Sequence, residues 1–496
     1  MSRTPKPPRR HTGLIIFLVL VMLLSIAGSA FMVKLSLDLT QKTADQAERP
    51  GPGISIALPE DDPTEPPTET TVPDPVPEHV ISTATIASTG DLLMHEPVMS
   101  ACRQSDGTYD FSTIFQYLEE YSAAPDFSIA NLETTLYGPG KPYKGYPMFN
   151  CPDTIVDGAK NAGFDMLLTG NNHSFDTGLE GYLRTIQVVE EKGLQKLGTM
   201  DSPEDEKWVV QEINGIKVGL LSYTYETTTG TRGERPALNG LPMYGATYEY
   251  INCFRMAEPK PFLEEVEGYL EEMEAAGAEA TIVFMHWGNE YHLKQNSQQI
   301  ALAQGLCDLG VDVIIGGHPH VVQPVDLLTS TTDPEQKTVC LYSMGNAVSN
   351  QRQGALQAIQ TAHTEDGVLF SVTFEKYSDG TVYLAEVELL PTWVNMHWPN
   401  GGGKQYNILP LDMDRVEEWG TMFGINEATV GVARNSYTRT MNIVGAGLET
   451  CQTYLAQAKE DREEYYYNLA WHPEMFETEP TEAVEETIPT ETAAAA

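Results

Sequence analysis

Residues 311–320 read Val311-Asp312-Val313-Ile314-Ile315-Gly316-Gly317-His318-Pro319-His320. The first five are β-branched apart from one aspartate, which predicts a short buried strand. Two glycines end it, and two histidines follow with one residue between them. Alternate residues of extended backbone point the same way, so His318 and His320 are expected to aim both imidazoles at one point. Histidine is the commonest metal ligand, and two convergent rings at a strand end form half a metal site. A surface loop that happens to hold two histidines is the plainer alternative. Other scarce polar residues at strand ends tip the balance toward metal.

Working outward, apolar strands are expected at residues 80–87, 127–130, 165–169, 218–223, 280–285 and 338–342. Helical stretches are expected between them, as at 182–192 and 262–276. Strands alternating with helices imply an α/β sheet. Polar residues gathered just after strands imply a site at the carboxyl edge of that sheet. Two later strands, 367–375 and 381–389, have hairpin spacing around Ser378-Asp379-Gly380 and add an antiparallel element.

The ends of the chain differ in composition. Arg3, Lys6, Arg9 and Arg10 precede an almost wholly apolar run at 14–33. That run has the length, about 20 residues, that crosses a bilayer as a helix. Basic residues on its N-terminal side place that end in the cytoplasm and the body outside. A cleaved signal peptide, with Gly28-Ser29-Ala30 as its small-residue site, is the competing reading, and the length favours an anchor. The expected division is therefore a cytoplasmic stub and anchor at 1–37, a disordered Pro/Thr/Glu linker at 38–80, and a folded domain at 81–395. A mostly helical extension at 396–475 and a disordered acidic tail at 476–496 complete it.

The formal net charge of −40 excludes nucleic acid and other polyanions over most of the surface. A metal ion can still supply the positive charge that binds an anion locally. None of the six cysteines forms a C-x-x-C pair, which argues against a zinc knuckle or a thioredoxin-type motif.

Collected from the strand ends, Asp91, His95, Asn131, Glu133, Asn172, His173, Asp176, His286, His318 and His320 form a mixed oxygen and nitrogen set. Such a set suits Mn, Fe, Zn or a similar divalent ion. The motifs that carry these residues are Gly90-Asp91, Asn131-Leu132-Glu133, Gly170-Asn171-Asn172-His173 with Asp176, His286-Trp287-Gly288-Asn289-Glu290-Tyr291, Gly317-His318-Pro319-His320-Val321 and Ser343-Met344-Gly345-Asn346. In this order, over about residues 82–395, the chain resembles the CapA family, the poly-gamma-glutamate capsule biosynthesis proteins of the metallophosphatase superfamily. The resemblance implies a four-layer α/β/β/α sandwich, preceded here by the one N-terminal transmembrane helix. It implies Asp91, Glu133, Asn172, His286, His318 and His320 as metal ligands, His173 as the acid histidine and Asp176 as its orienting partner. Leu93 stands where metallophosphatases carry the histidine of Asp-x-His, so one or two ions are both open, and His95 is a possible substitute.

The expected function is a membrane-anchored, extracytoplasmic, metal-dependent phosphoester hydrolase of the phosphatase or phosphodiesterase type. It would serve poly-gamma-glutamate capsule or cell-envelope polymer synthesis. Its expected partners are the membrane, a phosphorylated or capsule-polymer substrate and other capsule-synthesis proteins. The alternative is a non-catalytic assembly or polymer-binding factor that uses the same cleft.

Overall fold

The computed structural model describes residues 76–229, 235–243, 245–355, 360–399 and 402–476. The apolar run at 14–33, the linker up to residue 75 and the tail from residue 477 lie outside them. Among the described residues, no helix is long and apolar enough to cross a membrane.

Two mixed sheets carry the α/β body. In the first, Val80–Leu92 pairs in parallel with Phe127–Asn131, which is followed outward by Met166–Leu168 and Gln195–Leu197. On its other side lie the antiparallel Asp366–Tyr377, Val382–His397 and Gln405–Pro410. The second sheet is built on four parallel strands, Ile216–Tyr225, Ala280–His286, Val313–Gly317 and Lys337–Leu341.

Period-two alternation explains how the sheets stack. Ile129, Met166, Ile282, Phe284, Val313 and Ile315 belong to one core shared by both sheets. The residues between them point the other way. Ala130 and Leu167 pack under helices such as Thr154–Asn161 and Gly178–Glu191, whereas Val283, Met285 and Ile314 pack under Pro259–Ala275 and Ser297–Asp308. Both faces of each parallel strand are therefore dry, which is why these segments read as continuous apolar runs. The layers run helix, sheet, sheet, helix.

The C-terminal region is part of this core. Strand Val382–His397 runs through residue 395, and Gln405–Pro410 pairs with it, so sheet continues past that point. Helix Glu427–Trp471, capped by the Asn426 side chain, looks polar in sequence. At helical spacing, however, it carries Val444, Leu448, Cys451 and Leu455, which enter the core between the sheets. It packs against Val382–His397 of one sheet and Val325–Thr329 of the other.

Gly447 makes this docking possible, because a Cβ there would overlap the Val325 carbonyl. Gly447→Ala is expected to destabilise the protein by about 1–3 kcal/mol, the usual cost of overpacking, despite alanine's better helix propensity. Urea unfolding of the two proteins checks this. A variant as stable as the parent would mean that the helix is not held at that strand.

Candidate metal centre

Both sheets turn their parallel carboxyl ends to one edge. Asp91 closes the first strand, Glu133 follows Asn131, Asn172 and His173 follow Met166–Leu168, His286 ends its own strand, and His318 follows Gly317. All are at most 5% exposed.

Among the described residues, two groups of side chains present one ligand atom each within 4.8 Å of one another: Glu133 with His286 and His318, and Asp91 with Glu133 and His320. Glu133 belongs to both. Its Oε1 lies 3.6 Å from His286 Nε2, 3.9 Å from His320 Nε2 and 4.0 Å from His173 Nε2. Asp91 is held on both sides: its Oδ1 accepts from Asn131 Nδ2 at 2.7 Å, and its Oδ2 lies 3.0 Å from His320 Nδ1. Asn172 Oδ1 sits 2.8 Å from His286 Nε2, on the side of Glu133. The structure thus brings the six expected ligands to one place.

The histidines reach it differently from the way an extended segment would place them. His318 has φ 95° and His320 φ 57°, so the loop is left-handed at both. Non-glycine residues there typically cost about 1–3 kcal/mol, and such positions cluster at functional sites. The rings are 5.9 Å apart and serve different groups, not one point.

The electrostatics fit a cation. Neither carboxylate oxygen of Glu133, fully buried, has a hydrogen-bond partner, and neither has His318 Nδ1. Burial, followed by the neighbouring Asp91 charge, raises the Glu133 carboxyl well above its usual range. Burial also pushes Asp91 up, but its hydrogen bond to His320 and the electrostatic pull of that ring, with the hydrogen bond from Asn131, outweigh that and hold it low. Burial drives His286 down to about 3 and His318 well below the ordinary histidine range. Both rings are therefore neutral near pH 7, with lone pairs to donate. Gly317 leaves the space between the groups open: a Cβ there would stand 3.4 Å from Asp91 Oδ1 and 3.6 Å from His286 Nδ1. An orphaned, shared carboxylate beside the neutral imidazoles of His286 and His318 is the donor set a divalent ion completes.

His173 stands beside this set. Its Nδ1 is 2.7 Å from Asp176 Oδ2, which also accepts from the Phe149 N–H at 2.6 Å. That pairing leaves Nε2 facing Glu133.

His95 belongs to neither group. Its Nδ1 lies 3.3 Å from the Asn350 N–H, from which it accepts in one tautomer, and 3.3 Å from the Leu93 carbonyl, to which it donates in the other, and its ring packs edge-on with Phe149. Arg184 is bound to Asp153 through two hydrogen bonds of 2.8 and 2.7 Å. Trp287 is a fully buried core residue that donates to the Tyr342 carbonyl.

Asn346 closes the Ser343-Met344-Gly345-Asn346 motif, and no role is expected of it from the sequence. Asn346 Oδ1 lies 3.1 Å from His320 Nδ1, and its Nδ2 donates to the His320 carbonyl at 3.2 Å. Tyr225, whose ring centroid is 4.6 Å from that of His318, was also missed. Its place at the end of a parallel strand was the available signal.

The family described as Bacterial capsule synthesis protein PGA_cap matches residues 85–351, over half of the chain. The chain is 27% identical over 274 residues to the capsule biosynthesis protein CapA of Bacillus anthracis, covering 54% of this chain and 60% of that protein. It is 27% identical over 270 residues to the PGA biosynthesis protein CapA of Bacillus subtilis (strain 168), covering 53% and 62%. It therefore spans about six tenths of the length of these relatives. Among solved structures, the Termus thermophilus sulfate thiohydrolase SoxB aligns with a TM-score of 0.34 at 11% identity, over 72% of this chain and 60% of that one, too distant to bear on the site.

Proposed function

The chain belongs to the bacterial capsule synthesis protein PGA_cap family, and from that premise we propose that it is a metal-dependent phosphoester hydrolase of metallophosphatase type. In this reading it acts outside the cytoplasm, tethered by the apolar run at 14–33, in the synthesis of poly-gamma-glutamate capsule or a related envelope polymer. Other capsule-synthesis proteins are its proposed partners.

One observation carries the hydrolase reading. The orphaned Glu133 carboxylate lies between two ligand groups, and the His173–Asp176 pair stands beside it. A site that only held polymer has no need of a buried imidazole oriented by a buried carboxylate. Glu133, His286 and His318, with Asn172 beside them, would hold one ion, and Asp91, Glu133 and His320 a second. Mn, Fe and Zn all suit these donors. Divalent ions there would offset the charge of a phosphoryl group and lower the pKa of water.

The protein's own groups do the rest. Asp176 keeps Nδ1 of His173 as the donor in their shared bond, so Nε2 is the nitrogen turned toward substrate. A proton on Nε2 is placed to reach the leaving oxygen. Asn131 and Asn346 hold Asp91 and His320 in the orientation that binding needs.

Elemental analysis of the purified body, residues 80–475, paired with assays on a generic phosphodiester and a phosphomonoester, tests the proposal. The expected result is near-stoichiometric Mn, Fe or Zn with turnover of at least one ester. Metal without turnover would favour the assembly-factor reading, and no metal after reconstitution would overturn the site.

A further inference from the structure

The dyad of His173 and Asp176 has a loose end. Asp176 is 1% exposed, and its Oδ1 has no hydrogen-bond partner, although Oδ2 is occupied by both His173 and the Phe149 N–H. A buried carboxylate oxygen without a donor is costly.

A donor approaches the histidine that this carboxylate holds. Strands Arg235–Leu238 and Leu241–Pro242 form a hairpin in register Leu238↔Leu241, and its two-residue tip is Asn239-Gly240. Both tip residues are left-handed, φ 48° and 74°, as in the tight hairpin turns that favour Asn-Gly. The tip is anchored. Thr227 Oγ1 accepts from the Gly240 N–H at 3.0 Å, and Leu238 is fully buried against Phe175 and Tyr182. From there, Asn239 Nδ2 comes within 3.3 Å of His173 Nδ1.

That contact is chemically incomplete. The Nδ1 proton is already committed to Asp176, and a protonated ring nitrogen cannot accept a second proton in the ring plane. The Asn239 N–H therefore lacks a proper acceptor at Nδ1, while Asp176 Oδ1 lacks a donor. Both lie around the same ring nitrogen.

We propose that Asn239 is the third member of this pair, a positioning residue whose carboxamide donates to Asp176 Oδ1 and so holds the carboxylate and, through it, the His173 ring. The proposal rests on the hydrolase reading only for its kinetic consequence; the hydrogen-bond arrangement stands apart from it.

The turn supplies a clean probe. Glycine and aspartate both tolerate a left-handed backbone, so Asn239→Gly removes the amide and Asn239→Asp replaces it by an acceptor, each with the hairpin retained. In the full-length, Zn-loaded protein, the solvent exchange of the His173 Nδ1 proton is followed by NMR and assigned by its loss in His173→Gln. Asn239→Gly is expected to speed exchange about tenfold or more and to lower kcat on a generic phosphodiester by about 10–100-fold, as when partners that orient a site residue are lost. Metal content and KM stay unchanged. Asn239→Asp is expected to lower kcat further, because its carboxylate brings Asp176 Oδ1 another acceptor instead of a donor. Exchange in Asn239→Gly as slow as in the parent would overturn the proposal. Faster exchange in Asn239→Gly than in a parent that turns over no ester would uphold it and refute the hydrolase reading instead.

Discussion

Replacing Glu133 by Gln is expected to empty both ligand groups at once, and yet to leave a metal-free chain more stable than its metal-free parent. The two effects have one cause. Glu133 is the side chain shared by the two groups, so its loss removes an anionic donor from each. Without an ion, ionising that carboxylate would leave a buried charge whose two oxygens have no partner, a penalty of about 1–3 kcal/mol that Gln cannot incur. The pH dependence has a definite sign. Burial raises the Glu133 carboxyl in the folded protein, so between its unfolded and folded values the native state binds a proton that the unfolded state does not. The metal-free parent should therefore lose stability as pH rises above about 4.3, the unperturbed glutamate value. Glu133→Gln should remove that loss. Urea unfolding in chelator across a pH series, with elemental analysis of the metal-loaded protein, checks both halves. If Glu133→Gln retained the parent's metal content, the carboxylate would not be a ligand.

His173→Ala and His318→Ala should separate chemistry from binding. His173 lies in neither ligand group; its Nε2 stands 4.0 Å from Glu133, and its Nδ1 is spent on Asp176. Its removal should keep the metal and lower turnover by about 10²–10⁴-fold, the usual contribution of a positioned acid or base. His318 is one of three donors in its group, and its buried Nδ1 has no protein partner. Its removal should cost at least the ion of that group, and the turnover with it. Elemental analysis and single-substrate kinetics on the two variants side by side provide the test. Equal metal loss in both would sink this division of roles.

Much of the site was legible in the chain because parallel strands are short and buried on both faces. A polar residue at the end of such a run is conspicuous, and Asp91, His286 and His318 stand out for that reason. The alternation of strand and helix, the carboxyl-edge placement and the kinds of donor atom available could all be read along the chain. Local periodicity and composition carry that information.

Tertiary structure decided what the donors do together. The left-handed backbone at His318 and His320 sends the two rings to different groups, and spacing on an extended strand cannot anticipate that. Glu133 comes to belong to both groups only because two sheets, built from segments far apart in the chain, turn their carboxyl ends to the same edge. Helix Glu427–Trp471 hid its role behind a polar composition, since a narrow apolar stripe suffices to fill the seam between the sheets. Asn239 offered an Asn-Gly hairpin signal and nothing more; its approach to His173 depends on how that hairpin packs over Phe175 and Tyr182. Long-range packing fixes such relations, because side-chain contacts between distant segments leave no period in the sequence.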